Sequence, residues 1–251
     1  ISAGDTMVVT GTLTLTDGSF DSTGIIDARG NITQASTFDW GSDVILDFGN
    51  DSVAQTYTIN GGAGPAVRYN SAADANDTII INASGGLGGL IMTAGFSGTV
   101  QPVNNTVGGT LTLYTSGYSQ AAGTFQGGAY TMALYSFWPS PSNFTITGGT
   151  FNAASTTLFN GTDISNTYDV VSTATFENVT SARDSGRTLT ITSGDTMVVT
   201  GTLTLTDGAF NTGTINAQGN VTVASTWDGG TSPLIFSGSA IQTFNLTGAT
   251  G

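Results

Sequence analysis

Polar and apolar residues alternate along most of this chain with a two-residue period. Between Met7 and Thr16, residues Met7, Val9, Leu13 and Leu15 fall on one side, and Thr10, Thr12, Thr14 and Thr16 on the other. A pleated strand separates odd from even positions in this way. Asp17-Gly18 then supplies a turn. Related phrases recur at Tyr57-Thr58-Ile59, Leu111-Thr112-Leu113, Phe144-Thr145-Ile146, Leu189-Thr190-Ile191, Leu203-Thr204-Leu205 and Phe244-Asn245-Leu246, and a glycine follows each within a few residues. No window carries apolar residues at helical spacing. Threonine, valine, isoleucine and the aromatics favour strands, so the chain reads as all-β.

One stretch occurs twice. Residues 4–18 and 194–208 both read GDTMVVTGTLTLTDG, and looser similarity extends over residues 1–64 and 191–251. A long internal period marks an array whose units need neighbours to bury their faces. The strand phrases are unevenly spaced, which argues against a barrel of short hairpins. We read residues 1–251 as one continuous parallel β-helix, a β-solenoid, right-handed, with variable loops at its corners. At roughly 20 residues per rung the chain makes about 12 rungs and a rod of about 55 Å, with the two copies about 45 Å apart.

The two copies also sort inward from outward positions. Ile32 becomes Val221, Phe38 becomes Trp227, Tyr57 becomes Phe244 and Ile59 becomes Leu246. These changes keep bulk and apolarity, as a core requires. Asp21 becomes Asn211, Asp27 becomes Asn216, Arg29 becomes Gln218 and Gln34 becomes Val223, which marks these positions as outward-facing. Asp5, Asp17 and Asp39 persist as Asp195, Asp207 and Asp228.

The phrases GTLTLTDG, FTITGGTF, LTITSGD and IQTFNLTG, with Gly123-Thr124-Phe125 and Gly149-Thr150-Phe151 between them, resemble the tandem β-solenoid repeats of very large bacterial surface proteins. Filamentous adhesins and autotransporter passengers share that texture. The resemblance covers the whole chain and implies an extracellular, cell-surface, adhesive or scaffolding role.

Charge narrows the partners. Only 8% of residues are charged, the formal net charge is −13, and lysine, histidine and cysteine are absent. Arg29, Arg68, Arg183 and Arg187 are too few and too scattered to track phosphates, so neither nucleic acid nor an anionic membrane is an expected partner. No run of apolar residues reaches the length of a bilayer-spanning helix, so no membrane insertion is expected. The expected partners are copies of the chain itself, end to end, and carbohydrate.

Catalysis has little to work with. A polysaccharide-cleaving β-helix needs a base or paired carboxylates in a groove. The one mixed cluster, Arg183, Asp184 and Arg187, reads as a solvated loop, and no catalytic residue or cofactor is assigned. Calcium would look for Asp39, Asp43, Asp47 and Asp51, the densest acidic run. The second copy keeps only Asp228 of that set, so turn and solvation roles are expected instead. Outward Thr-x-Thr arrays can order ice, but the phrases here are too unevenly spaced for a matched lattice.

Asn-x-Ser/Thr occurs at Asn31, Asn50, Asn76, Asn82, Asn104, Asn143, Asn160, Asn178, Asn220 and Asn245, about twice as often as composition alone would give. These are candidate glycosylation sites, although turn-then-strand grammar generates the same pattern. Pro139 and Pro141 interrupt residues 130–144. There Tyr135, Phe137 and Trp138 form a candidate contact loop, or else fold back over the solenoid wall. Both ends carry ordinary rung chemistry, so the sequence is read as a structural segment of an extracellular filament or surface fibre that continues end to end. The alternative is an adhesin stalk.

Overall fold

The computed structural model describes residues 1–20, 23–39, 44–49, 52–105, 108–136 and 140–248. Strands account for nearly all its regular structure, and every strand pairing is parallel. The chain winds as a β-solenoid with three strand positions per turn, each stacked on the same position of the turn before.

The first face starts with Thr6–Val9, Ile25–Ala28, Ile45–Phe48 and Ala66–Tyr69. It continues through residues 90–92, 117–120, Phe144–Ile146, Asn166–Val170, 188–191 and 209–212 to Trp227–Gly230. The second face starts with Leu13–Leu15, Ile32–Gln34, Thr56–Asn60, Thr78–Ala83 and Val103–Asn104. Thr99–Val100, from the same turn as Val103–Asn104, carries this face upward through Thr124–Gln126 and Thr150–Asn152. Thr173–Phe176, residues 196–199, residues 214–217 and Leu234–Phe236 complete it. The third face begins where Gly18 bridges Phe38 and ends in Asn178–Arg183, residues 203–207, Val221–Ala224 and Phe244–Thr247.

The turns are unequal. Thr6 pairs with Ile25, nineteen residues on, whereas Leu90 pairs with Tyr118, twenty-eight on. Eleven strand positions stack on the first face among the described residues, one fewer than a uniform rung of 20 gives.

The unequal turns have an effect that the repeat itself conceals. Thr6–Val9 lies on the first face, but the identical residues 196–199 lie on the second. Leu13–Leu15 lies on the second face, and its twin, residues 203–205, on the third. The second copy therefore begins eight turns and one face after the first. At ~4.8 Å per turn that is about 40 Å along the axis. Alternation suits any face equally, so the copies fold alike despite the rotation. Gln55 Nε2 donates to the carbonyls of Ala28 and Gly30 at 2.9 and 2.8 Å, and its twin Gln242 donates to those of Ala217 and Gly219 at 2.9 and 2.7 Å. Thr37 Oγ1 donates to Thr16 O and Thr226 Oγ1 to Thr206 O, each at 2.5 Å.

Inward side chains form one narrow core along the axis. Its middle is aromatic. Tyr118, Phe144 and Tyr168 stack on successive turns of the first face with ring centroids 5.0 and 5.5 Å apart, nearly parallel. Phe125 and Phe151 stack on the second at 5.6 Å. Parallel in-register strands put like residues above one another, which favours such offset stacks.

Two outward assignments are corrected. Gln34 has the same strand parity as Ile32 and is fully buried. Its Oε1 accepts the Tyr57 hydroxyl at 2.7 Å, and its Nε2 donates to Gly61 O at 2.6 Å. The change to Val223 is thus matched by Tyr57 becoming Phe244, so both members of a buried polar pair turn apolar together. Arg183 is not in a solvated loop. It closes the inward set of Asn178–Arg183 with 1% exposure, while Asp184 and Arg187 are exposed in the turn beyond. Arg29 is exposed and ion-paired to Asp27, and Asp21 lies outside the described residues.

Candidate functional site

The two ends of the stack are where ordinary rung residues lack a neighbour. On the last turn Phe244 and Leu246 are 51% and 53% exposed, although their twins Tyr57 and Ile59 are fully buried. The twins are covered by Thr78–Ala83, whose Ile79 and Ile81 pair directly above them. Phe236, Ile235 and Ile241 are also exposed there. Beneath them the core opens into a cavity of about 220 Å³ lined by Leu205, Phe210, Trp227, Gly229, Leu234 and Phe244.

The first turn mirrors this. Met7, Val9 and Leu13 are half-buried, whereas their identical twins Met197, Val199 and Leu203 are fully buried over Ala174, Phe176 and Val179. Asp5 is exposed. Its twin Asp195 is buried and accepts the Val170 N–H at 2.8 Å, from the strand of the turn below.

Of the acidic run, Asp47 is committed to an ion pair. Asp47 takes both guanidinium bonds of Arg68, at 2.7 and 2.6 Å, and the Asn70 amide at 3.1 Å. The hydrogen bonds to Asp47, and then its charge, hold the Arg68 guanidinium above its ordinary pKa against the opposing effect of burial. Asp39 is exposed, and Asp43 and Asp51 lie outside the described residues. Among the described residues no group of three or more carboxylates, histidines or cysteines could hold a metal. Asp17 and Asp207 bond the N–H of Gly18 and Gly208 at 2.8 and 2.7 Å, the turn role expected of them.

Two buried ionisable groups escaped the sequence reading. Asp77 accepts the N–H groups of Gln55 and Asp74 at 2.7 and 2.8 Å, and burial raises its pKa to about 6. Arg183 donates from Nη1 to Asn166 at 3.1 Å, while its Nε and Nη2 have no partner. Burial lowers its pKa to about 10. Strand parity marks Arg183 as inward, as it does Gln34; Asp77 sits before its strand, where no periodic signal exists.

Most candidate glycosylation asparagines have a backbone role. The Oδ1 atoms of Asn31, Asn143, Asn178 and Asn220 accept the N–H of Thr56, Thr167, Thr202 and Thr243 on the next turn, at 2.8 to 3.0 Å. Asn178 also donates to Ser155 O at 2.8 Å. Asn82 stands between Asn60 and Asn105 in a ladder with bonds of 3.0 and 2.9 Å, and Asn104 donates to Ala129 O. Asn76 bonds Asp74, and Asn160 the N–H of Gly161. Asn245 is exposed, and Asn50 lies outside the described residues. An asparagine placed before a strand thus ties one turn to the next, which supplies a structural reason for the excess of Asn-x-Thr.

Tyr135 is half-buried and meets Tyr114 edge-on at 6.2 Å. Its expected companions Phe137 and Trp138 lie outside the described residues. No helix among the described residues is long and apolar enough to cross a membrane. Comparison with protein-family models, curated proteins and solved structures finds no match.

Proposed function

We propose that the chain is a structural segment of an extracellular filament or cell-surface fibre that extends by end-to-end stacking of its turns. The supporting observation is a parallel stack whose terminal turns carry uncovered core residues, Phe244 and Leu246 above and Met7 and Leu13 below, each with a covered twin inside the chain. Open strand edges recruit further strands unless something blocks them. Load along such a rod passes through backbone ladders and stacked side chains, with no single residue acting as a catalyst. Negative-stain microscopy and sedimentation velocity test this. Threads lengthening with concentration, with about 53 Å of rise per chain, support it; single short rods at every concentration overturn it.

The half-buried Tyr114–Tyr135 pair favours a second reading, an adhesin stalk that contacts carbohydrate through an aromatic surface. Replacing Tyr135, Phe137 and Trp138 with alanine abolishes glycan binding under that reading and leaves thread formation intact under the first.

A further inference from the structure

We infer that a break in the second face, inside the stack, is a binding site for one ring of a neutral glycan. It concerns residues 146–175 alone, and so stands apart from any joint between chains and from the Tyr114–Tyr135 surface.

The second face is not one continuous sheet. Thr99–Val100, Thr124–Gln126 and Thr150–Asn152 form a ladder of their own, and Thr173–Phe176 belongs to another that starts above it. The corner before the face explains the break. Inward residues that flank it lie seven apart in the lower turns, Tyr118 to Phe125 and Phe144 to Phe151, and six apart in the upper turns, Tyr168 to Ala174 and Ile191 to Met197. A slip of one residue turns a whole strand inside out. Thr173–Phe176 keeps Ala174 and Phe176 inward by giving up the ladder below. The other two faces stay paired across the same turns, Phe144 with Tyr168 and Phe159 with Ser181, so the break is a slot in one wall.

Two backbone edges face each other across that slot. Thr150 N–H bonds Gly123 O at 2.9 Å and Asn152 O accepts from Gly127 N–H at 2.8 Å, both downward. Alternation therefore turns the N–H and C=O of Phe151 upward. Ser172 O and Phe176 O accept from Thr196 and Thr200 above, at 2.7 and 2.9 Å, so Thr173 and Thr175 turn theirs down. The slot holds about 350 Å³, at the small end of ligand sites (roughly 300–1,000 Å³). Ile146, the half-buried Phe151 and Ala174 form its floor, and Thr147, Thr173 and Thr175 its exposed rim.

Three features select the occupant. The facing strands come within 8 Å at Cα, whereas an inserted strand needs about 9.6 Å, twice the ordinary spacing. Backbone donors and acceptors with three hydroxyls around an aromatic floor suit a ring that is apolar on its face and hydroxylated at its edge. No arginine lines the slot and the net charge is −13, so the glycan is neutral.

Saturation-transfer NMR and calorimetry on the full chain test this. The probes are neutral tetrasaccharides of glucose, galactose, mannose and N-acetylglucosamine, with tetragalacturonate as the anionic counterpart. At least one neutral probe should bind with a millimolar dissociation constant, and tetragalacturonate should not. T173V/T175V keeps branched, strand-forming side chains, removes two hydroxyls and should weaken binding about tenfold. T204V/T222V, on the unbroken third face, should leave it unchanged. The amides of Phe151, Thr173 and Thr175 should exchange freely in the unbound chain and slow on binding. Slow exchange there without sugar overturns the break. No binding by any neutral probe, or full affinity in T173V/T175V, overturns the site, and equal binding of tetragalacturonate overturns the neutral class. Binding lost only when Tyr135, Phe137 and Trp138 are replaced with alanine overturns this site and keeps the stalk reading.

Discussion

Gln34→Val and Tyr57→Phe should each destabilise the solenoid, and the double variant should lose less than the two single losses combined. Both side chains are fully buried and joined by a 2.7 Å hydrogen bond. Burial pushes the Tyr57 hydroxyl far above its ordinary pKa, so it remains a donor across the accessible pH range. Tyr57→Phe removes one bond and leaves Gln34 Oε1 bare, a cost of about 1–2 kcal/mol. Gln34→Val removes two bonds and strands both the Tyr57 hydroxyl and the Gly61 carbonyl, about 2–4 kcal/mol. In the double variant only the Gly61 carbonyl lacks its partner, so the coupling should be about 1–2 kcal/mol. The second copy has already made this exchange, as Val223 and Phe244. Urea unfolding followed by circular dichroism measures it, with hydrogen exchange around Ile59 as a local readout because repeat arrays need not unfold in one step. Additive single effects, or a neutral Gln34→Val, would refute the buried pair.

Other consequences follow from polar groups inside the stack. Asp77 titrates near pH 6 when folded and near 3.8 when unfolded, so its contribution is fully present below pH 4 and is lost as pH rises through 6. Thermal melts between pH 4 and 7 should therefore show a loss of up to about 3 kcal/mol from this group, and Asp77→Asn should flatten that slope. Asn178→Ala removes two inter-turn bonds and should cost about 1–3 kcal/mol by chemical denaturation; an unchanged midpoint would remove the structural explanation of that sequon. Arg183→Met replaces a buried guanidinium that has two unpartnered nitrogens, and should leave the melting temperature unchanged or raise it. A fall of several degrees would mean that the charge has a partner that stabilises it.

Much of the fold was legible because strand alternation is a local property. Met7, Val9, Leu13 and Leu15 declare their face without any knowledge of the third dimension. Gln34 was misplaced because polarity was weighed above parity, although its change in step with Tyr57 was visible in the two copies. Arg183 was misplaced for the same reason. Turn lengths were not legible, since corner segments such as residues 70–77 and 93–98 add residues without adding a strand position. The rotation of the second copy depends on the total of those lengths, so no local pattern encodes it. The contrast between exposed Phe244 and Leu246 and their covered twins Tyr57 and Ile59 appears only once strands are assigned to neighbours.

That rotation by one face governs how the rod meets its surroundings. Equivalent strands of the two identical pentadecapeptides point in directions about 120° apart, so no single plane touches the same strand of both. A flat lattice or a neighbouring rod lying alongside finds any given strand of the motif once per chain, not as a row of matching teeth. Zippering of parallel rods into bundles through this motif is thereby frustrated.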